Sequence, residues 1–272
     1  MVLVWTANAA ALPRSSFIGP PVKKVKRVVT LAPSLTDIVL AVGAGESLVG
    51  VSRFDEDERV AKVARVGGFS DPSVEAVISL KPDLMIVQPG PGNRVAVEKI
   101  AELGVPVLLL PLQDVAGVLE ALRVVGKVLG KSEQGDALAK NLEDTRTTVR
   151  SKAISGKRVR VLFVYGFDPM VVAGPGSFAN ELLEDAGGEN VVKPPFGAYV
   201  TFSPETAITS KPEVVVNAAD PDTGIDQFRS LPGLREARWL KVSGKELLFP
   251  GPRLAKGLED LYALLHPSTV TK

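Results

Sequence analysis

The chain contains no cysteine and a single histidine, His266, near the end of its 272 residues. The missing cysteines exclude disulfide bonds, thiolate metal sites and a cysteine nucleophile. A lone histidine in the tail also disfavours the usual histidine general base. We therefore predict that the protein is not an enzyme and that its side chains form no metal site. Any metal is expected to arrive within a bound ligand, so no resident cofactor is predicted.

The net charge and the aromatic content of the chain are also low, and long apolar runs are missing from its sequence. The formal net charge is +1 at pH 7, so no long-range field would recruit nucleic acid or an anionic membrane surface. No apolar run approaches the roughly 20 residues that a membrane-spanning helix needs. Aromatic residues make up only 6% of the chain. The length of 272 residues corresponds to about two domains of roughly 150 residues each.

The first 24 residues have a separate character. A short apolar start is followed by small residues with A-x-A spacing at Ala7 and Ala9. This order is typical of the end of a secretory signal peptide, but the basic segment and the full apolar region of about 7–15 residues are missing. We predict that residues 1–24 are a signal-peptide remnant and that the protein is exported. The alternative is an N-terminal extension without a targeting role.

Short β-branched runs alternate with helical stretches over residues 25–130 and again over 157–272. This alternation is typical of parallel α/β sheets, and the run at 246–250 is predicted as the last strand. The intervening residues 131–156 read as one helix, much longer than the usual 11–12 residues or so. We predict an α/β fold in which two similar Rossmann-like lobes, joined by this helix, form a ligand cleft between them.

One segment occurs twice. "SVEAVISLKPDLMIV" (73–87) and "SPETAITSKPEVVVN" (203–217) match at one constant offset. The identical pairs include Glu75 with Glu205 and Lys81 with Lys211. In both copies a short helix is predicted to begin at the serine and to end before the proline, because the residue before proline is restricted away from helical geometry. The repeat supports two related lobes.

Five segments together carry a family resemblance. They are "RVVTLAPSLTDIVLAVGAGESLVGVS" (27–52), "VGGFSDPSVEAVISLKPDLMIV" (66–87), "AGGENVV" (186–192), "SPETAITSKPEVVV" (203–216) and "GPRLAKGLEDL" (251–261). In order and spacing they resemble the substrate-binding proteins of ABC importers that have two lobes and a single connecting helix. Within that class, the proteins for cobalamin, haem and iron siderophores are similar from residue 25 to 266.

The resemblance implies a periplasmic, soluble, monomeric binding protein that delivers a corrinoid such as cobalamin to an importer. Its partner would be the permease dimer with its ATPase, and its ligand a small chelate or macrocycle. Binding of haem or a ferric siderophore is the alternative within the class. A two-lobed α/β enzyme is a distant alternative, because "GAGESLVG" and "GPGPGN" do not match the spacing of phosphate-binding loops. A ligand sensor that works without a permease is a third.

The resemblance also implies roles for individual residues. Glu75 and Glu205 match the two surface glutamates that dock on the permease, one from each lobe. The alternative is that each carboxylate only stabilises the first turn of its helix, where the helix dipole favours negative charge.

The ligand-binding candidates are aromatic and basic residues in loops that follow strand ends. By the same resemblance, aromatic side chains there line the cleft and stack on the corrin; the candidates are Phe54, Phe69, Tyr165, Tyr199 and Phe249. Arg53 and Arg253 are the polar candidates, because a guanidinium offers a planar fork for carboxylate or phosphate. Core or surface positions are the alternative for the aromatics, and surface ion pairs for the arginines. Only Tyr165 or Tyr199 could serve as a haem iron ligand.

Overall fold

The computed structural model describes residues 14–154, 156–221, 223–242 and 244–267. The first half of this chain builds one six-stranded sheet. Its strands are β1 (Ser16–Ile18), β2 (Val28–Thr30), β3 (Leu48–Val51), β4 (Ala64–Arg65), β5 (Leu84–Val87) and β6 (Val107–Leu109), and they lie side by side in the order β1-β6-β5-β2-β3-β4. Only the edge strand β1 is antiparallel to its neighbour among the pairs described in this sheet. The helices here are α1 (Pro33–Ala41), α2 (Val74–Ser79), α3 (Arg94–Glu102) and α4 (Val115–Val128).

The second half builds a second sheet. Its strands are β7 (Val159–Phe167), β8 (Met170–Ala173), β9 (Gly188–Asn190), β10 (Tyr199–Thr201), β11 (Val214–Asn217) and β12 (Arg238–Lys241). The order is β10-β8-β7-β11-β12, and β9 also pairs with β7. Its helices are α6 (Phe178–Asp185), α7 (Pro204–Ser210), α8 (Ile225–Arg229) and α9 (Leu254–Leu265), while α5 (Ser132–Ala153) runs between the two sheets in the sequence.

Helices of both halves share one apolar core. Buried residues of α4, α5, α6 and α9 belong to a single cluster with residues of both sheets, for example Leu122, Leu142, Leu182 and Leu258. Helices α4 and α5 approach closely at two glycines: a Cβ added to Gly126 would lie 2.9 Å from the Cα of Gly135. The long helix is therefore packed against both lobes.

The predicted α/β fold with two lobes is confirmed, and two details are wrong. The run at 246–250 is not a strand, and the last strand is β12. Leu247 is nevertheless fully buried, because it packs against the glycine face of α9 at Gly257. The sheets are also not purely parallel, since β8 pairs antiparallel with both β7 and β10.

Two expectations concern the ends and surfaces of the chain. The signal-peptide prediction rests on Ala7 and Ala9, which lie outside the described residues, while residues 16–18 of the predicted extension form β1. The boundaries at residues 25, 131 and 157 stay predictions. In the part of the chain that the structure describes, no helix is both long and apolar enough to cross a membrane.

Candidate functional site

A cavity of about 240 Å³ lies between the two lobes. The first lobe contributes Pro33 and Asp37 of α1 and residues 54–57, which follow β3; the second contributes Lys245, Phe249 and Arg253, which precede or begin α9. Ligand sites of α/β sheets lie beyond the carboxyl ends of the strands, and residues 54–57 occupy such a position. The cavity therefore has the location expected of a cleft site.

Two ion pairs connect the lobes across this cavity. Arg253 Nη2 lies 2.6 Å from Asp37 Oδ2, and Lys245 Nζ lies 2.5 Å from Glu56 Oε2. Burial raises the pKa of Asp37, and the nearby Arg253 guanidinium lowers it by less. Glu56 is exposed, and its hydrogen bond from Lys245 lowers its pKa. The pairs hold the two sides of the cleft together at its rim.

In the double variant Lys245→Gln/Arg253→Gln, we expect a longer mean distance between the lobes and a broader distribution of that distance. The Lys245–Glu56 pair is mostly exposed and contributes only about 0.2–1 kcal/mol. Asp37 is more buried, but a glutamine at position 253 can still donate a hydrogen bond, so the fold should persist. Because the chain lacks cysteine, spin labels can be attached at Ser79→Cys and Thr209→Cys, two exposed, matched positions of the repeated segment. Pulsed electron resonance then measures the distance between the lobes.

The control for this experiment is Lys256→Gln, which breaks an ion pair with Asp260 within α9, away from the cavity. It should leave the distance distribution of the wild type unchanged. Identical distributions for the wild type and the cross-lobe double variant would show that the two pairs do not set the lobe separation.

Arg53, Phe54 and Phe69 lie in the first lobe, and of these three Phe54 alone lines the cavity. Phe54 is 56% exposed, and the Arg53 guanidinium carbon lies 5.0 Å from the centre of its ring. Arg53 also pairs with Asp71 at 2.6 Å. The Phe69 ring lies against the loop after β5, since a Cβ added to Gly90 would be 2.8 Å from its Cζ. Phe54 lines the cavity, whereas the structure pairs Arg53 with the surface residue Asp71.

Asp55 is a buried acid in the first-lobe wall of the cavity. The residue is 5% exposed, and its Oδ2 has no hydrogen-bond partner among the described residues. Its backbone is held: the N–H donates to the Ser52 carbonyl at 3.2 Å, and the carbonyl accepts from Arg65 Nη2 at 3.0 Å. Burial raises the pKa of the Asp55 carboxyl more than the hydroxyls of Ser52 and Thr36 lower it.

The second lobe also contains an aromatic group around Tyr165, which lies in β7 at the carboxyl end of the pairing with β11. Neither Tyr165 nor Tyr199 lines the cavity between the lobes. Its ring centre is 5.2 Å from that of Phe163, 6.3 Å from that of Phe178 and 5.6 Å from that of Tyr199. The Tyr165 hydroxyl is buried without a hydrogen-bond partner in the described chain. Burial raises the pKa of Tyr165 well above its usual value, and partial burial raises that of Tyr199 to about 12. Both phenols are therefore neutral at pH 7.

The repeated segment forms two equivalent helix ends. Lys81 and Lys211 both have φ of 46°, the left-handed geometry that stops a helix. Arg27 donates to the Leu80 carbonyl at the end of α2, and Arg160 donates to the Ser210 carbonyl at the end of α7. These contacts explain why the Lys-Pro part of the segment is repeated.

The acidic residue after each proline also has a structural role. Asp83 Oδ2 accepts the Arg27 N–H at 2.9 Å, and Glu213 Oε2 accepts the Arg160 N–H at 2.9 Å. Each side chain thereby fixes the start of the neighbouring strand. Local structure therefore accounts for the second half of the repeat.

Local structure does not explain in this way why Glu75 is repeated as Glu205. Both are exposed in the first turns of α2 and α7, where Ser73 and Ser203 are the N-caps and accept the N–H of Ala76 and Thr206 at 3.2 Å. Neither carboxylate forms an ion pair with a basic side chain within the described residues. The pKa of Glu205 is lowered by its hydrogen bond with Ser203. Both carboxylates are therefore accessible to a basic group of another molecule.

Sequence reasoning missed several charged residues of the cavity. Asp37, Asp55, Glu56, Asp57 and Lys245 all line it. The alternative to ligand binding for Arg53 was a surface ion pair with one of the acidic residues after β3, but its partner is Asp71. The sequence signal that could have indicated them is the acidic run "DED" (55–57), which follows β3 after a few residues. Among the described residues no group of three or more His, Cys, Asp or Glu could hold a metal ion.

A second depression of about 380 Å³ lies at the end of α5 and includes Arg150, Arg158, Glu184 and Gly187. It is larger than the cavity between the lobes, but none of the predicted ligand-binding residues lines it. The cleft, which contains Phe54, Phe249 and Arg253, is therefore the better candidate site.

Comparison with known proteins gives a consistent result. The sequence profile of the family described as periplasmic binding protein matches residues 28–238. The vitamin B12-binding protein of Vibrio parahaemolyticus is 28% identical over 245 residues, which cover 87% of this chain and 88% of that protein. An uncharacterised ABC transporter substrate-binding lipoprotein of Bacillus subtilis is 28% identical over 259 residues, 91% of this chain and 82% of that protein. A crystal structure of a periplasmic heme-binding protein from Pseudomonas aeruginosa superimposes with a TM-score of 0.75 at 26% identity, covering 90% of this chain and 94% of that one.

The matched residues run from β2 of the first sheet to the start of β12 in the second. They include both copies of the repeated segment and the long helix between the lobes. The family is one of binding proteins that act outside the cytoplasm, so the resemblance found in the sequence and the expectation of a non-enzymatic protein are confirmed. The chain belongs to the periplasmic binding protein family.

Proposed function

We propose that this chain is the periplasmic substrate-binding protein of an ABC importer and that its ligand is a corrinoid such as cobalamin. The observation that carries the proposal is the cleft, to which Phe54 and Phe249 are contributed by opposite lobes. A bulky, flat macrocycle needs such apolar and aromatic walls with a few polar groups between them. The vitamin B12-binding protein of Vibrio parahaemolyticus, similar over most of the chain, supports this ligand class.

The importer would be contacted through Glu75 and Glu205. Both carboxylates are exposed, occupy equivalent positions in the two lobes and lack a basic partner within the described part of the chain. A rigid protein with one charge on each lobe suits a dimeric permease, in which each subunit would offer one basic pocket. The permease would work with its ATPase, and the binding protein would act as a soluble monomer.

Haem and ferric siderophores are the alternative ligands, and the Pseudomonas aeruginosa neighbour is named for heme. Two observations favour a corrinoid instead. The vitamin B12-binding protein of Vibrio parahaemolyticus matches 87% of this chain. In the closed cleft the cations Lys245 and Arg253 are paired with Glu56 and Asp37, so a haem propionate would have to compete with these two carboxylates.

Ligand entry would require the lobes to separate. The cavity of about 240 Å³ is smaller than the roughly 300–1,000 Å³ of typical small-molecule sites. Opening would break the two cross-lobe ion pairs and expose Phe249 and the aromatic group around Tyr165 to the ligand. Any metal would arrive inside the ligand, and elemental analysis of the ligand-free protein should find no stoichiometric transition metal.

Calorimetric titration of the ligand-free protein tests the proposal. We expect saturable, one-to-one binding of cyanocobalamin with a dissociation constant near or below about 1 μM, and weaker binding of ferrihaem and of a ferric siderophore. Phe54→Ala should weaken cobalamin binding by about tenfold, as expected for an aromatic contact residue. Phe17→Ala is the matched control, because Phe17 is similarly exposed but lies on the edge strand β1. Tight binding of ferrihaem without binding of cyanocobalamin would overturn the proposal.

A further inference from the structure

The inference concerns the buried carboxyl of Asp55. The residue lines the cavity between the lobes, is 5% exposed and has an Oδ2 without a hydrogen-bond partner among the described residues. A buried acceptor that is left unpaired is destabilising, so an unpaired one in a binding cavity needs an explanation. A hydrogen-bond donor on a ligand that enters the opened cleft would provide it.

The position of Asp55 is fixed before any ligand arrives. Arg65 donates to the Asp55 carbonyl at 3.0 Å and also to the carbonyls of Val60 and Val63 at 3.0 and 3.2 Å. The Arg65 guanidinium thus holds three backbone carbonyls of the loop after β3 in place. A carboxyl held by such a loop can recognise ligand geometry, because little ordering remains to be done on binding.

The other acids of the cavity already have cations beside them. Asp37 pairs with Arg253, Glu56 with Lys245, and Asp57 with Arg59. Asp55 has no such pair within the described residues, and the lining contains four acids but only two bases. The cavity lining is therefore short of hydrogen-bond donors, and a ligand carboxylate would have to compete with these acids for the two cations.

We infer that Asp55 is a specificity-determining residue of the cleft: its Oδ2 accepts a hydrogen bond from a peripheral carboxamide of the ligand and rejects a carboxylate at that place. The inference rests on the proposed function, because it assumes a macrocyclic ligand in this cleft. It explains how the site distinguishes a corrin, which carries peripheral carboxamides, from rings that carry peripheral carboxylates.

Two forms of one ring test this directly: dicyanocobinamide, with a carboxamide periphery, and dicyanocobyrinic acid, with carboxylates in their place. We expect the wild type to prefer the carboxamide form by about 100-fold, since sites built for a hydrogen bond strongly reject analogues that cannot make it. In Asp55→Asn the preference should fall below about tenfold, because an asparagine can donate to a carboxylate. Glu58→Gln removes one negative charge from an exposed position of the same loop and should keep the wild-type preference.

The folding of the variants is checked by thermal melting. Asparagine has the shape of aspartate and no charge to bury, so Asp55→Asn should melt at or above the temperature of the wild type. Asp55→Ser, a smaller side chain that both donates and accepts, provides a second variant and should show the same loss of preference. A residue with only a structural role would change the melting temperature and leave the preference unchanged.

The possible results separate the inference from the proposed function. If the wild type binds dicyanocobinamide and Asp55→Asn keeps the full preference, the inference is wrong and the proposed function stands. If Glu58→Gln loses the preference as Asp55→Asn does, general charge rather than Asp55 determines it, and the inference is again wrong. If the wild type binds neither these rings nor cyanocobalamin, the proposed function fails and the inference with it; binding of cyanocobalamin without dicyanocobinamide overturns the inference alone.

Discussion

The double variant Glu75→Ala/Glu205→Ala is expected to bind its ligand as the wild type does and to support almost no transport. The side chains are exposed in the first turns of α2 and α7, so their loss removes only a helix-dipole interaction of about 0.3–1 kcal/mol each. On the permease, each missing carboxylate would leave a basic pocket without its partner, which costs about 2–5 kcal/mol per pocket. Ligand uptake by the reconstituted importer, at limiting binding protein, measures the effect.

Glu133→Ala is the matched control for the docking variant. Glu133 is also an exposed glutamate in the first turn of a helix, α5, but it lies outside the repeated segment. Transport with this variant should equal that of the wild type. Equal transport by the double variant would mean that Glu75 and Glu205 serve only as first-turn residues of their helices.

The variant Asp185→Ala is expected to be the most destabilising of the single changes considered. The Asp185 side chain is 4% exposed and accepts from Arg146 Nε at 2.5 Å and from Arg150. Breaking a buried ion pair by removing one partner costs about 3–5 kcal/mol. At about 2–4 °C per kcal/mol for chains of roughly 150–250 residues, the melting temperature should fall by about 10 °C. Differential scanning calorimetry measures it.

The reason is that Asp185 belongs to a network that joins three helices. Arg146 of α5 also pairs with Glu181 of α6 at 3.0 Å, and Glu181 accepts the N–H of Val115 at the start of α4 at 3.1 Å. Arg150→Gln removes only the exposed arm of this network and should cost no more than about 1 kcal/mol. Equal losses for Asp185→Ala and Arg150→Gln would show that burial does not determine the strength of the network.

Much of the fold could be predicted from local sequence signals. The alternation of strands and helices indicated two α/β lobes, and Ser73, Ser177 and Ser203 each cap a helix as their positions suggest. The run at 246–250 was misassigned because an apolar run can satisfy the core from a turn as well as from a strand. The antiparallel pairing of β8 with β10 depends on residues far apart in the chain, which periodicity does not reveal.

The site was less predictable, because its key contacts join distant parts of the chain. Glu56 and Lys245 are 189 positions apart, and Asp37 and Arg253 are 216 positions apart. Phe54, Phe249 and Arg253, predicted from their place near strand or helix ends, line the cavity, and their roles in ligand binding stay predictions. The burial of Asp55 could not be predicted in this way, since a short acidic run is usually a solvated surface.

The most direct test of the central claim is the visible absorption spectrum of this protein purified, with its own ligand, from the cells that make it. The proposed function predicts corrinoid bands in proportion to the protein, together with cobalt in elemental analysis. A haem Soret band with iron, or the charge-transfer band of a ferric siderophore, would contradict it.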